Sequence, residues 1–240
     1  MRIPRVFVDQ EINDRQTLGL ESKAAHYVTH VLRCGPGSRL TLFNGLGGAF
    51  TGTITRVGKR SAEVLIDTFD PEDRESPLDI SLGLGIIKRD AMDSAIQKAT
   101  ELGVRQITPV ICEYTDSPKK ALLARQDHWQ AVARSACEQC ERNRPPRIDA
   151  PISLPDWLAG TTSDIKLIAH PGSHGGLDAI TVPPTSVTVL TGPEGGFSDA
   201  EVSRCVDSGF HVVGLGPRIL RADTAPLVML ALLQARFGDL

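Results

Sequence analysis

Residues 1–70 alternate short apolar runs with turns rich in glycine, lysine and arginine, a pattern typical of β-structure. A short helix is predicted over residues 22–32, which begin with serine, a preferred helix N-cap. Strand-like runs occupy residues 5–8, 39–44, 49–57 and 62–69. Successive short strands with tight turns predict a small barrel or folded sheet.

The pattern changes after residues 71–78, a charged segment with prolines near both ends that is typical of an interdomain linker. Beyond it, apolar strand-like runs alternate with segments of helical spacing. The strand-like runs are 80–87, 107–112, 166–169, 187–191 and 212–216, and the helical segments are 91–102, 122–141, 198–208 and 226–237. This alternation predicts an α/β domain over residues 79–240, with a parallel sheet and helices on both faces.

The composition is that of an ordinary globular protein, with 41% hydrophobic and 23% charged residues in 240. No apolar run approaches the roughly 20 residues of a membrane helix, and the first ten residues lack the apolar core of a signal peptide. The five cysteines are odd in number and irregularly spaced, which indicates free thiols. We therefore expect a cytoplasmic protein with no membrane partner.

The formal net charge of −3 is unusual for a nucleic-acid-binding protein, which is generally basic. The charge does not exclude RNA binding. If the chain binds RNA, the contact must come from local basic patches on an acidic body.

Two loops rich in glycine and proline, residues 191–198 and 214–225, each follow a predicted buried strand. Open α/β sheets bind ligands at the carboxyl ends of their strands, so the two loops are expected to share a pocket. Either loop alone could be a simple turn. Nucleotide motifs fit poorly. Residues 192–196 are not followed by the Lys-Ser/Thr of a P-loop, and Gly83 and Gly85, within the strand-like run 80–87, lack the third glycine and the turn of a dinucleotide fingerprint.

The pair Cys137 and Cys140 has the spacing of a redox or zinc motif. A zinc site needs a second pair of ligands at suitable spacing, and none is evident. Helical spacing places both thiols on one face, where packing explains them. We therefore expect no metal.

Several separated motifs resemble one family in the right order along the whole chain. They are RIPRVFV at the start, HVLR (30–33), DRESPL (73–78), IQKATELGV (96–104), EQCERNR (138–144), TGPEGGFS (191–198), LGPRILRADTA (215–225) and the terminal ARFGDL. The chain thus resembles the ribosomal RNA small subunit methyltransferase E family, a branch of the SPOUT superfamily.

The resemblance implies a PUA-like β-barrel over residues 1–70, followed by a SPOUT-type α/β domain whose trefoil knot covers about residues 167–225. It implies a homodimer that uses S-adenosylmethionine to methylate N3 of one uridine in the decoding region of 16S rRNA, in the small ribosomal subunit. A second possibility is an RNA-binding ribosome assembly factor that keeps the fold without catalysis. A nucleotide-dependent oxidoreductase is disfavoured because the dinucleotide fingerprint is missing.

By the same resemblance, residues of three loops would hold the cofactor, largely through backbone groups. These are His170, Thr191, Gly192, Glu194, Gly195, Gly196, Leu215, Gly216, Arg218, Ile219 and Leu220. Arg221 would stabilise negative charge on the uracil oxygens, or else pair with a neighbouring carboxylate. Glu194 either caps backbone donors or accepts the N3 proton. Asp223 stands where the family usually has glutamate, and is either catalytic or a helix N-cap.

The resemblance also implies RNA contacts from two groups of residues. In the first domain they are Arg2, Arg5, His30 and Arg33, and near the end of the helix at 122–141 they are Arg142, Asn143 and Arg144. Arg142 and Arg144 would bind phosphates and make affinity depend on salt. A charged helix end exposed to solvent is the alternative for the second group.

Overall fold

The structure is a computed structural model that describes residues 3–115, 119–173, 175–177 and 180–240. The chain divides into two compact units. The first comprises Met1–Glu75 and Arg134–Pro145, and the second comprises Ser76–Ala133 and Pro146–Leu240. Residues 134–145 therefore belong with the first unit, although the sequence pattern placed them in the second.

The first unit contains a five-stranded sheet in the order β1-β3-β4-β5-β2. Its strands are β1 (Arg5–Phe7), β2 (Thr17–Glu21), β3 (Arg39–Phe43), β4 (Ala49–Val57) and β5 (Ser61–Asp70). β1 pairs parallel with β3 and the other neighbours are antiparallel. The predicted helix is a short α1 (Ser22–His26) that continues as a π-helical turn (Tyr27–Val31).

The core of this unit is built from the inward residues of these strands, with Val64 on β5 and Leu40 and Leu42 on β3 fully buried. Alternation of buried and exposed residues along β5 shows that one face of the sheet is covered. The four predicted strands are confirmed. β2 was not predicted because Gly19 interrupts a run of only five residues.

The second unit is built on a parallel sheet in the order β12-β10-β11-β6-β7-β8, with β9 also pairing with β7. The strands are β6 (Asp79–Gly85), β7 (Gln106–Ile111), β8 (Arg147–Ile148), β9 (Ile152–Ser153), β10 (Ile165–Ala169), β11 (Ser186–Thr191) and β12 (His211–Val213). The helices are α2 (Arg89–Glu101), α3 (Lys119–Leu123), α4 (Gln126–Cys140), α5 (Leu154–Ala159), α6 (Asp199–Asp207) and α7 (Thr224–Phe237). The predicted α/β fold with a parallel sheet is confirmed.

The centre of this sheet is the pairing of β6 with β11, which extends from Ser186 opposite Asp79 to Thr191 opposite Leu84. Residues Leu82, Leu84 and Val189 are at most 1% exposed. Strands buried on both faces read as nearly continuous apolar runs, which is why the sequence predicted them well.

The structure differs from the sequence prediction where elements are short. The segment predicted as one helix over 122–141 forms two helices, α3 and α4. The strand predicted over 212–216 ends at Val213, because the next residue, Gly214, donates its N–H to Gly175 O (2.8 Å). The two-residue strands β8 and β9 are too short to show a period. Among the described residues, no helix has both the length and the apolar character needed to cross a bilayer.

Charged side chains fix residues 134–145 within the first unit. Arg142 and Glu75 form an ion pair at 2.5 Å with side chains only 4% and 8% exposed. Asn143 donates to the carbonyl of Glu72 (2.8 Å), and Glu138 accepts the backbone N–H of Phe7 (3.0 Å). A buried ion pair stabilises only while both partners are present, because either charge alone is left desolvated.

Replacing one partner of this pair therefore has a large effect. Arg142→Ala is expected to lower the free energy of unfolding by about 3–5 kcal/mol, because Glu75 stays buried without its cation. The matched control is Arg144→Ala, which breaks an exposed pair with Asp73 (2.7 Å) and is expected to cost about 0–1 kcal/mol. Urea unfolding of the two variants makes the comparison. Equal losses would show that burial of the Arg142–Glu75 pair is not what stabilises this contact.

Candidate active site at the carboxyl edge of the parallel sheet

A cavity of about 680 Å³ lies at the carboxyl ends of β6, β10 and β11. The loops after these strands line it together with the start of α2 and of α7. The lining residues are Ile87, Lys88, Ala91, Ala169, His170, Pro171, residues 192–197, residues 219–223 and Ala225. Both glycine- and proline-rich loops thus meet at one cavity, as the sequence pattern predicted.

The first loop turns sharply because of its glycines. Gly196 has φ +72°, a conformation that favours glycine. A Cβ at residue 85, the last residue of β6, would lie 2.6 Å from the backbone nitrogen of Pro193. The loop backbone therefore packs directly against the end of the strand, and only glycine at position 85 leaves room for it.

Glu194 ties this loop to the start of α2. Its carboxylate accepts the backbone N–H of Lys88 at 3.0 Å. Lys88 is the N-cap residue of α2 and makes no side-chain capping bond itself, so Glu194 satisfies a free donor of the helix. This contact agrees with the interpretation of Glu194 as a residue that caps backbone donors. Glu194 also lines the cavity.

Glu201 holds the other end of the loop. It completes the predicted capping box with Ser198 at the start of α6. Its second oxygen accepts the backbone N–H of Glu113, after β7, at 2.8 Å. Two backbone donors satisfy this buried carboxylate, so the loop after β11 is anchored to the residues that follow β6 and β7.

The second loop supplies Arg221 and Asp223. Within the described residues, the exposed side chain of Arg221 makes no ion pair, so the pairing with Asp223 or Glu194 considered from the sequence is not seen. Asp223 occupies the N-cap position of α7, yet its carboxylate makes no capping hydrogen bond. Both charged groups therefore remain available at the cavity wall.

Two buried polar atoms near this cavity lack a hydrogen-bond partner among the described residues: His170 Nδ1 and Thr191 Oγ1. Buried polar groups are normally paired, so such atoms indicate a missing partner. His170 lines the cavity, whereas Thr191 lies beneath it at 0% exposure. Together with charges of both signs and apolar groups such as Phe197, these atoms fit a charged ligand with polar and apolar parts, as S-adenosylmethionine is.

The structure brings most of the expected cofactor and catalytic residues to this cavity, namely His170, Gly192, Glu194, Gly195, Gly196, Ile219, Leu220, Arg221 and Asp223. Thr191, Leu215, Gly216 and Arg218 are not among the lining residues. Sequence reasoning missed Ile87, Lys88 and Ala91. They directly follow the buried strand β6, and the rule for carboxyl ends of strands could have found them.

Two of the expected RNA contacts in the first unit are open to solvent. His30 is exposed and stacks on His26, with ring centroids 4.6 Å apart. Arg33 is exposed and has φ +56°, which projects it from a tight turn. Arg5 instead donates to Asn143 Oδ1 at 2.6 Å, and burial lowers its pKa. Arg2 lies outside the described residues.

The other expected RNA contacts lie in residues 134–145. Arg142 and Asn143 are 4% and 3% exposed and are engaged inside the first unit. In the structure these two side chains bind Glu75 and the carbonyl of Glu72, and their expected RNA contacts stay a prediction. Arg144 is exposed, with its Nε 2.7 Å from Asp73. The sequence alone does not show that Arg142 is buried while Arg144, two residues later, is exposed.

Cys137 and Cys140 belong to the packing of the first unit. Cys137 is fully buried, and a hydrogen bond with Cys140 together with burial raises its pKa well above the usual value. A thiol held in this protonated form is a poor nucleophile and metal ligand. Within the part of the chain that the structure describes, no cluster of three or more His, Cys, Asp or Glu residues is placed to hold a metal ion.

The fold and the site define the class of protein to which the chain belongs. Residues 74–234 match the family described as RNA methyltransferase domain, and residues 20–67 match the RNA methyltransferase PUA domain. The chain is 34% identical to ribosomal RNA small subunit methyltransferase E of Buchnera aphidicola subsp. Schizaphis graminum, over 100% of this chain and 98% of the relative. The chain belongs to the ribosomal RNA small subunit methyltransferase E family.

Solved structures support the same assignment. A methyltransferase from Legionella pneumophila, solved with bound S-adenosylmethionine, superposes with a TM-score of 0.96 at 38% identity, covering 100% of both chains. Ribosomal RNA small subunit methyltransferase E from Neisseria gonorrhoeae, also bound to S-adenosylmethionine, gives 0.93 at 36% identity and 99% coverage of both.

The close approach of Gly85 to the first loop gives a direct test of the cavity. Gly85→Ala is expected to displace the loop at Pro193 and lower the affinity for S-adenosylmethionine by about tenfold or more, since even small displacements of a preorganised site are costly. The control is Gly160→Ala, where a Cβ would meet nothing closer than 3.8 Å. Calorimetric titration measures both. Unchanged affinity in a folded Gly85→Ala protein would show that the loop does not hold the cofactor.

Proposed function

We propose that this chain transfers a methyl group from S-adenosylmethionine to N3 of a uridine in the decoding region of 16S rRNA, within the small ribosomal subunit. The observation that carries the proposal is the cavity where both loops and His170 meet, in a member of this methyltransferase family. Bound S-adenosylmethionine supplies an already activated methyl group. The residues of the chain then have two tasks, which are to orient the reactants and to assist loss of the N3 proton.

Arg221 is the proposed electrostatic catalyst. Its guanidinium is exposed beside the cavity and makes no ion pair within the described residues. There it would stabilise the negative charge that develops on uracil O2 or O4 as N3 loses its proton. A free cation is suited to this task, whereas one already neutralised by a carboxylate is not.

The two carboxylates at the cavity differ in what they already bind. Glu194 accepts the backbone N–H of Lys88, and this bond favours its positioning role. Asp223 caps no backbone group and lies two residues from Arg221. We therefore propose Asp223 ahead of Glu194 as the proton acceptor, although its side chain is one methylene shorter than the family's usual glutamate.

Partners and location complete the proposal. In the first unit, His30, Arg33 and Arg144 are the exposed candidates for contacts with 16S rRNA.

A homodimer is proposed because the apolar helix α7 leaves Leu232 47% exposed. Sedimentation analysis of the purified protein tests the oligomeric state. The expected trefoil knot and the cytoplasmic location remain predictions.

The proposal is tested with labelled S-adenosylmethionine and small ribosomal subunits from cells that lack this methylation. Nucleoside analysis of the rRNA should give 3-methyluridine. A non-catalytic assembly factor would bind the subunit and give no labelled nucleoside. Label in another nucleoside would overturn the assignment of N3 of uridine.

Arg221→Ala is expected to reduce the single-turnover rate of methyl transfer by about a hundredfold or more, because one stabilising charge at the reacting base is lost. The affinity for S-adenosylhomocysteine should change little, which separates catalysis from cofactor binding. Arg221→Lys keeps the charge with different geometry and should retain part of the rate. A rate unchanged in Arg221→Ala would remove this residue from the mechanism.

A further inference from the structure

A second cavity, of about 740 Å³, adjoins the cofactor cavity and shares four lining residues with it. The shared residues are Ile87, Lys88, Glu194 and Gly195. They form a thin wall, closed by the hydrogen bond from the Lys88 backbone N–H to Glu194. A molecule in the second cavity would therefore lie immediately beside the methyl donor.

The order of the strands shows why a crevice opens here. β6 and β11 are neighbours at the centre of the sheet. After β6 the chain proceeds to β7 on one side, whereas after β11 it proceeds to β12, beyond β10 on the other side. The loops after β6 and β11 therefore leave the sheet in different directions. Such a switch point is the usual place for ligands in an open parallel sheet. The second cavity lies between residues 86–89, after β6, and Glu194 and Gly195, after β11.

The lining of this second cavity suits a planar base. Ile86, Met92 and Leu122 give it an apolar floor. The ring of Tyr114 is 48% exposed on its wall, and exposed aromatic rings at such positions stack well on nucleobases. Trp129 forms another wall, and its buried indole N–H has no partner among the described residues.

Cations at this cavity suit a phosphate. Lys88 and Arg89 are exposed at the start of α2, a helix of 13 residues whose N-terminal end also favours anions. Arg125 lies deeper, stacked over Trp129 at 5.7 Å, and is neutralised by Asp93 at 3.1 Å. The lining also includes the carboxylates of Glu113 and Glu194. Lys88 and Arg89 are therefore the cations open to a phosphate, on a chain whose net charge of −3 requires RNA contacts to be local.

We propose that the second cavity holds a nucleotide of the RNA substrate, with its base against Tyr114 and its phosphate near Lys88 and Arg89. This inference rests on the proposed function. The nucleotide is one next to the methylated uridine in the strand, because Arg221 and Asp223, which would act on the uracil itself, line the cofactor cavity and not the second one.

The contribution of the two cations to RNA binding is tested with the double variant Lys88→Ala/Arg89→Ala. This variant keeps the hydrogen bond from the backbone N–H of residue 88 to Glu194. Binding is measured with small ribosomal subunits that lack the methylation, in the presence of saturating S-adenosylhomocysteine. The dissociation constant should rise about tenfold, and the slope of log affinity against log salt should fall by roughly 1 to 2. The control, Arg204→Ala, removes an exposed arginine of α6 that lines neither cavity and should bind as wild type.

The stacking of a base on Tyr114 is tested with the variants Tyr114→Ala and Tyr114→Phe. Loss of the ring should weaken subunit binding about tenfold, while phenylalanine should keep most of the affinity because it still stacks. Single-turnover transfer at saturating subunit should stay near the wild-type rate, because the methylated uridine lies in the other cavity. Slowed transfer, or wild-type binding in Tyr114→Ala, would contradict the placement of a neighbouring base against this ring.

Two results with the charge variants would also overturn the inference. One is wild-type binding and salt dependence in the Lys88→Ala/Arg89→Ala variant, and the other is an equal loss in Arg204→Ala. If wild-type enzyme makes 3-methyluridine in the same preparation, the proposed function stands in either case. Wild-type enzyme that makes none would instead refute the proposed function, and the nucleotide site with it.

Discussion

The contact on which the site depends is the close approach of Gly85, at the end of β6, to the backbone at Pro193, after β11. Parallel pairing over six residue pairs brings both strand ends to one edge of the sheet. The absence of a side chain at residue 85 then lets the loop lie flat against its neighbour. Because this loop forms one side of both cavities, its position sets their shape and the separation between them.

Carboxylates in both units connect distant segments of the chain through hydrogen bonds and ion pairs. Glu194 and Glu201 accept backbone N–H groups and anchor the first loop, and Glu75 neutralises buried Arg142. The carboxylates of Glu201 and Glu75 are buried, which is costly unless they are paired or hydrogen-bonded, and both are. These acidic groups contribute to the net charge of −3 without pairing with Lys88 or Arg89 at the second cavity.

Sequence patterns predicted the elements whose signal is local. The buried strands β6 and β11 and the Ser198–Glu201 capping box follow from apolar runs and cap spacing, and the structure has them. Other features depend on contacts far apart in the chain. That Arg142 is buried follows from Glu75, 67 residues away, and that Glu194 binds the start of α2 follows from Lys88, 106 residues away. Residue type alone does not reveal such partners.

The shared wall has a thermodynamic consequence for the two cavities. A ligand that moves Glu194 or Gly195 in one cavity also changes the lining of the other. Any resulting effect on affinity must be reciprocal: if bound S-adenosylmethionine strengthens binding of an RNA nucleotide, the nucleotide strengthens binding of S-adenosylmethionine by the same factor. The Lys88–Glu194 hydrogen bond, which joins the wall to the start of α2, resists such movement and so limits the coupling. The loop anchors therefore set the separation of the two cavities and also govern how strongly a ligand in one would affect the other.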